Sequence, residues 1–251
     1  MRTTQIAAAM ASIALLAACS MNDAKSEDSA PSKDAIAGKS GPDGSRSFAA
    51  TGFTGVELAG ADNVVVTRGD AFSVVATGPE DVLDKLEIKV EGDMLIVTRK
   101  SNMMNWSDGK SATIAVTLPR LDSAELSGSG DLSIDSASGD AVKAVLAGSG
   151  NLNIASVTAK SLDVALAGSG DLTITGGKAD SAELALAGSG DVNVKGVTLT
   201  SADISIAGSG DVDATATGTA DVSIVGSGDV RLGGGAKCDS SELGSGTISC
   251  S

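Results

Sequence analysis

From Gly128 onward a Gly-Ser-Gly block returns seven times, with first glycines at Gly128, Gly148, Gly168, Gly188, Gly208, Gly226 and Gly244, so the steps are 20, 20, 20, 20, 18 and 18 residues. A fixed step near twenty marks a solenoid, because one repeat is too small to bury an apolar side alone and must stack on its neighbours. Aligned on the first glycine, the repeats form columns. Two residues before it stand Leu126, Leu146, Leu166, Leu186, Ile206 and Ile224; four after it stand Leu132, Leu152, Leu172, Val192, Val212, Val230 and Ile248. Polar columns lie between, such as Ser133, Asn153, Thr173, Asn193, Asp213 and Arg231. Apolar and polar residues alternating in this way are strands with one face inward. Each coil is therefore a strand, a Gly-Ser-Gly corner, a second strand and a more variable return. The glycines allow positive φ and close approach between successive corners, and the stacked serines are expected to hydrogen-bond along the axis.

The regular repeats cover residues 124–251, and a degenerate coil precedes them: Val56, Leu58, Gly60, Val64 and Val66 hold the same register, which starts the solenoid near Phe48. Gly78-Pro79-Glu80-Asp81 followed by Val82 and Leu83 predicts a short helix entered at proline, and Glu91-Gly92-Asp93 between two aliphatic runs predicts a hairpin. Both are expected to cap the N-terminal end. The aromatic residues, Phe48, Phe53, Phe72 and Trp106, all precede the repeats, so the interior of the stack is narrow and aliphatic. Met103, Met104 and Trp106 lie in a polar, loop-like run; they are candidates for partner contact through an exposed apolar tip, against the plainer reading that they cover the open end of the core.

The first eighteen residues carry one charge, Arg2, and an apolar run from Ile6 to Leu16 that is too short to span a bilayer but matches a secretory signal. It ends Leu16-Ala17-Ala18-Cys19, which resembles the lipobox of bacterial lipoproteins. The resemblance implies that Cys19 receives a diacylglycerol and becomes the first residue of the mature chain. Ser20 after it implies sorting to the outer membrane. Residues 1–18 are thus expected as signal peptide and 19–45, rich in Ser, Asp, Lys, Gly and Pro, as a lipidated flexible tether. Residues 46–251 are the folded domain.

The folded part resembles the head GIN domain family, a domain of unknown function labelled putative auto-transporter adhesin. The resemblance is carried by Phe53 to Val66, the Gly78-Pro79-Glu80 step, the Val116 to Leu121 run with Pro119, and the repeated Gly-Ser-Gly-Asp corners. It implies an all-β, right-handed parallel β-solenoid at the bacterial envelope. No strands of the outer-membrane barrel type follow the repeats, so lipid is the expected anchor.

Composition narrows the chemistry. There are 18 basic and 32 acidic residues, giving a net charge of −14, and no histidine or tyrosine. Such acidity disfavours nucleic acid and anionic headgroups. The absence of histidine excludes His-based nucleophilic catalysis and His-ligated zinc. The corner serines lack a base, and no Gly-Lys-Ser/Thr phosphate loop is present. The expected function is a non-enzymatic envelope lipoprotein, structural, adhesive or ligand-binding, with an unidentified envelope or extracellular ligand. The alternative is a carbohydrate-active β-helix enzyme, a polysaccharide lyase or hydrolase.

Two further constellations stand out. Cys238 and Cys250 lie six residues before and six after Gly244, both in inward columns of the last coil. An oxidising compartment permits a disulfide there; two buried thiols are the alternative. Two acidic ladders also run along the repeats: Asp131, Asp171, Asp191, Asp211 and Asp229 with Asn151, and Asp163, Glu183, Asp203, Asp221 and Asp239. Carboxylates stacked about 4.8 Å apart repel, and weak calcium binding at Asp171, Asp191, Asp211 and Asp229 is one way to offset that. The other is backbone bonding in the turn, with an outer face screened by solvent.

Lipidation gives the first testable outcome. Cys19→Ala, or globomycin treatment, should leave unprocessed precursor and abolish membrane retention. Normal maturation of the variant overturns it.

Overall fold

The computed structural model describes residues 34–42, 44–100 and 109–251. It is a parallel β-solenoid whose coils stack in register, with one shift between Leu199 and Ser201 where the repeat shortens to 18 residues. One wall joins Gly55–Gly60, Ser123–Gly128, Ala141–Gly148, Val157–Gly168, Gly177–Gly188, Val197–Gly208 and the second half of Val212–Gly226. The facing wall joins Asn63–Arg68, Asp131–Ile134, Asn151–Ile154, Asp171–Ile174, Val192–Asn193 and the start of Val212–Gly226. The inward columns read from the sequence fill the space between. Leu126, Leu146, Leu152, Ile174 and Ile204 are all buried, and each such side chain contributes about 1.5–3 kcal/mol relative to exposure.

The corner fixes the register. In each coil the carbonyl oxygen of the first glycine accepts the serine N–H of the next corner, and at Gly60, Gly128, Gly148 and Gly168 it accepts the second glycine's N–H as well: Gly148 accepts from Ser169 at 2.9 Å and from Gly170 at 3.2 Å, and Gly168 accepts from Ser189 and Gly190 at the same distances. Gly188 sits at φ 138°, and a Cβ built on it would overlap the carbonyl oxygen of Gly168. The corner therefore needs glycine twice over, for backbone angle and for space. The serine hydroxyls do not form the expected axial ladder; it is the serine N–H that bonds along the axis. Hydroxyls about 4.8 Å apart on neighbouring rungs are beyond direct hydrogen-bond reach.

Chain order and spatial order part at the N-terminal end. The first coil, Gly55–Gly60 and Asn63–Arg68, lies between two others: Ser123–Gly128 and Asp131–Ile134 on one side, Met94–Arg99 and Thr113–Leu118 on the other. The segment between Arg68 and Ser123 thus leaves the first coil, builds a coil beneath it, and returns above it. The predicted helix, Glu80–Leu83, and the predicted hairpin, Leu86–Glu91 with Met94–Arg99, belong to this segment and cap the end, burying Val82, Leu83, Leu86 and Ile88.

Beyond the cap, Ser73–Thr77 pairs antiparallel with Thr113–Leu118 and with Ser45–Phe48, which pairs in turn with Lys39–Ser40. Ile36 donates its N–H to the Ile88 carbonyl at 2.7 Å. The tether expected over 19–45 therefore ends earlier, since residues 35–40 already join the sheets. These are edge segments, and their polar composition, which reads as linker, is what keeps a sheet edge from pairing with another chain.

The opposite end is closed differently. Cys238 and Cys250 form a disulfide across the last coil, with Cα atoms 6.7 Å apart, as the column reading expected. In the same coil Glu242 continues the inward column below Ile224 but is exposed.

The corner geometry predicts a graded response to alanine. Gly52, at φ 81° with open space around it, should lose about 1–2 kcal/mol on Gly52→Ala from backbone angle alone. Gly188→Ala adds the backbone overlap and should cost clearly more in urea unfolding. Equal losses for the two variants would show that the corner contact does not set the register.

Candidate functional site

The first acidic ladder is built into the backbone network. The Asp171 carboxylate accepts the N–H of Asp191 at 3.3 Å, that of Asp191 accepts the N–H of Asp211 at 2.9 Å, and that of Asp211 accepts the N–H of Asp229 at 2.9 Å. Asn63 does the same for the N–H of Asp131, and the Asn151 amide donates to the Asp131 carboxylate. The charge at the C-terminal end of the ladder is met by Arg231, which lies 3.2 Å from Asp211 and 3.6 Å from both Asp213 and Asp229. Its hydrogen bond to Asp211 and the nearby carboxylates raise the guanidinium above its ordinary pKa.

This geometry favours the backbone-bonding reading of the first ladder over weak calcium binding at Asp171, Asp191, Asp211 and Asp229, since the first three each spend an oxygen on an N–H. One oxygen each of Asp171, Asp191 and Asp211 points along the stack to the next N–H, and Asp229 lies beside Arg231. Among the described residues no group of three or more acidic, Cys or His side chains is placed to hold a metal ion. A concavity of about 370 Å³ near this end is lined by Lys195, Asp213, Asp229 and Arg231, and its carboxylates are the ones Arg231 already holds.

The second ladder differs. Lys143, Asp163, Glu183, Asp203, Asp221 and Asp239 are register partners in turn. The five carboxylates are exposed, and none forms a salt bridge among the described residues, whereas Lys143 pairs with Glu125 at 2.8 Å. At the start of the neighbouring column Glu57 faces Glu125; burial first, and Glu125 next, push its carboxyl above its ordinary pKa.

Beside the second ladder lies a feature the sequence reading missed. The outward positions one and three residues before the corner glycine should be polar, yet they hold Ala147, Ala167, Ala187, Ala207 and Val225 in one column and Val145, Ala165 and Ala185 in the other. The first column is exposed, with Val225 53 % accessible. Together they floor an apolar trough of about 360 Å³. Its signal was legible as a break in the alternation, but alanine is neutral enough in a strand to pass unnoticed.

A second unpredicted feature is structural. Asp62, buried, takes the place of the second corner glycine in the first coil and accepts from Arg99 Nε at 2.7 Å, Arg99 Nη2 at 2.6 Å and the Ala112 N–H at 2.7 Å. Removing one partner of such a buried pair generally costs about 3–5 kcal/mol, so this fork anchors the capping coil to the stack. Of the remaining sequence candidates, Cys19, Met103, Met104 and Trp106 lie outside the described residues.

With this geometry established, the chain can be placed. Residues 52–236 match the model of the family described as "putative auto-transporter adhesin, head GIN domain", and the chain belongs to that family. Solved structures share the fold. A putative adhesin from Bacteroides fragilis aligns with TM-score 0.72 at 22 % identity, covering 82 % of this chain and 96 % of its own. A putative lipid binding protein from Parabacteroides distasonis gives 0.65 at 22 %, with 82 % and 96 % covered. A putative adhesin from Parabacteroides merdae gives 0.64 at 18 %, with 82 % and 95 % covered. No curated protein matches the chain.

The ladder makes a sharp distinction between side chains. Asp191→Asn with Asp211→Asn keeps an acceptor for the next N–H, as Asn63 already provides, and should leave thermal stability near that of the parent. Alanine at the same two positions should cost about 1 kcal/mol per lost bond. Melting curves in calcium and in chelator at matched ionic strength should superimpose; a calcium-dependent rise abolished by the asparagine pair overturns the assignment.

Proposed function

We propose that this chain is a non-enzymatic binding module of the bacterial envelope, held at the outer membrane by lipid on Cys19, whose solenoid wall meets an adhesive or ligand-binding partner. The observation that carries this reading is the outer wall itself. Within one rigid, registered sheet, an exposed apolar lane runs beside an unneutralised carboxylate lane. Neither lane is required by the core. The largest contiguous apolar patch on a monomer is often a functional surface. Family membership supports the reading, as do fold neighbours described as adhesins. Among the described residues no helix is long and apolar enough to cross a membrane.

Beads coated with the purified full chain, incubated with envelope and plant polysaccharides and with envelope protein extracts, should retain material without releasing sugar products. Crosslinking in cells should then recover a recurrent partner. Release of reducing or unsaturated sugar by the chain would instead support the carbohydrate-active alternative and overturn this proposal.

A further inference from the structure

We infer that the apolar trough and the second carboxylate ladder form one docking surface for a basic amphipathic helix of another protein. The inference rests on the binding reading above and gives its partner a chemistry. Three properties of the wall lead to it.

The first is charge. Asp163, Glu183, Asp203 and Asp221 stand in one column, two residues along each strand from the trough, a separation of about 6.6 Å. A Lys or Arg flanking an apolar stripe reaches that far, and these carboxylates have no salt bridge of their own to give up among the described residues. The acidic lane also opposes an anionic lipid surface.

The second is spacing along the stack. Rungs repeat about every 4.8 Å, and a helix laid along the stack presents residues of one face about every 5.4 Å. Over four rungs, from Val145 to Val225, the mismatch grows to roughly 2.4 Å, which flexible Lys and Arg side chains absorb. A partner strand along the same axis repeats its face about every 6.7 Å and falls out of phase within two rungs. The trough spans about 19 Å, matched by a helix of about 13 residues.

The third is the like charge of a second copy. Two copies of the chain packed trough to trough would bring two acidic lanes to one interface. Their carboxylate lanes would lie at the flanks with no cation to meet. A second copy is therefore a poor occupant. The floor of Ala167, Ala185 and Ala187 admits the larger side chains of a partner, and Val145 and Val225 close the two ends.

The test uses fluorescence anisotropy with the full chain and a labelled 14-residue Leu/Lys amphipathic helix. Controls are a scrambled peptide of equal composition and a Leu/Glu counterpart. Binding of the Leu/Lys helix alone is expected, weakening with salt. Ala167→Gln with Ala187→Gln, which fills the trough without changing charge, should weaken it about ten-fold. Glu183→Gln with Asp203→Asn should weaken it and flatten the salt dependence. Thr173→Gln on the facing wall serves as the folded control and should leave affinity unchanged.

Equal binding of the scrambled peptide, or full affinity in the trough-filled variant, overturns the inference, as does self-association through this wall or binding to anionic vesicles that the trough variant abolishes. If beads carrying the trough-filled variant still retain the envelope partner, the binding reading stands and only this surface is refuted. If the parent chain retains no partner, the binding reading itself fails.

Discussion

Everything in this molecule depends on a backbone contact that leaves no room for a side chain. The corner glycine of each coil lies so close to the glycine below that its carbonyl accepts the serine N–H of the next corner, and a Cβ on either glycine of the block would meet a carbonyl oxygen. One corner cannot slide by a residue without bringing a Cβ into that contact. A one-residue slip would also turn every inward side chain outward. The corner therefore locks the register, and the register turns a twenty-residue period in the sequence into straight columns in space. Burial of Leu and Ile along the inner columns stabilises the stack, but the corner decides which residues those are.

Columns carry a cost that an irregular surface avoids: any charge written into the repeat is written again one rung above. The two ladders meet it in different ways. Around the corner Asp171, Asp191 and Asp211 are turned along the axis, where each accepts the next N–H, and Arg231 closes the end. On the flat wall the second ladder has no such backbone partner, because the N–H groups there are spent in the parallel pairing of neighbouring strands. Its carboxylates remain exposed to solvent. The same repetition that makes one ladder structural leaves the other available.

The sequence carried the architecture because a solenoid is nearly one-dimensional: each coil contacts only its neighbours, so period, column and face are all local properties. The register of Gly60 with Gly128, the hairpin around Gly92, the helix after Pro79 and the pairing of Cys238 with Cys250 could all be read in this way. What escaped is non-local. That the coil of Met94–Arg99 and Thr113–Leu118 lies beneath the first coil rather than after it follows from how the segment folds back, and no period records it. Nor could spacing pair Asp62 with Arg99, 37 residues away, since each stands once, outside the repeats. The apolar trough was legible in principle. It lay in the columns assumed polar, where alanine hides a missing charge without announcing a hydrophobic residue.

The two ends of the stack show why a solenoid of this length needs dissimilar closures. At the N-terminal end the chain folds back to supply a full coil, a helix and antiparallel edge strands, so the last inward side chains are covered and the edges are short and polar. At the C-terminal end Lys237–Gly244 and Thr247–Cys250 cover Ile224 and Leu232, and Lys237–Gly244 is itself almost wholly exposed. An open parallel edge of this kind is a template for another chain. Two features of that rung oppose it. The Cys238–Cys250 bridge ties its two strands across the interior, where fraying would begin, and Glu242 sets a charge in an inward column where any added coil would have to bury it. A chain added to this edge would bring the Glu242 carboxylate out of water unpaired, a cost of several kcal/mol that the aliphatic contacts of one thin coil do not offset.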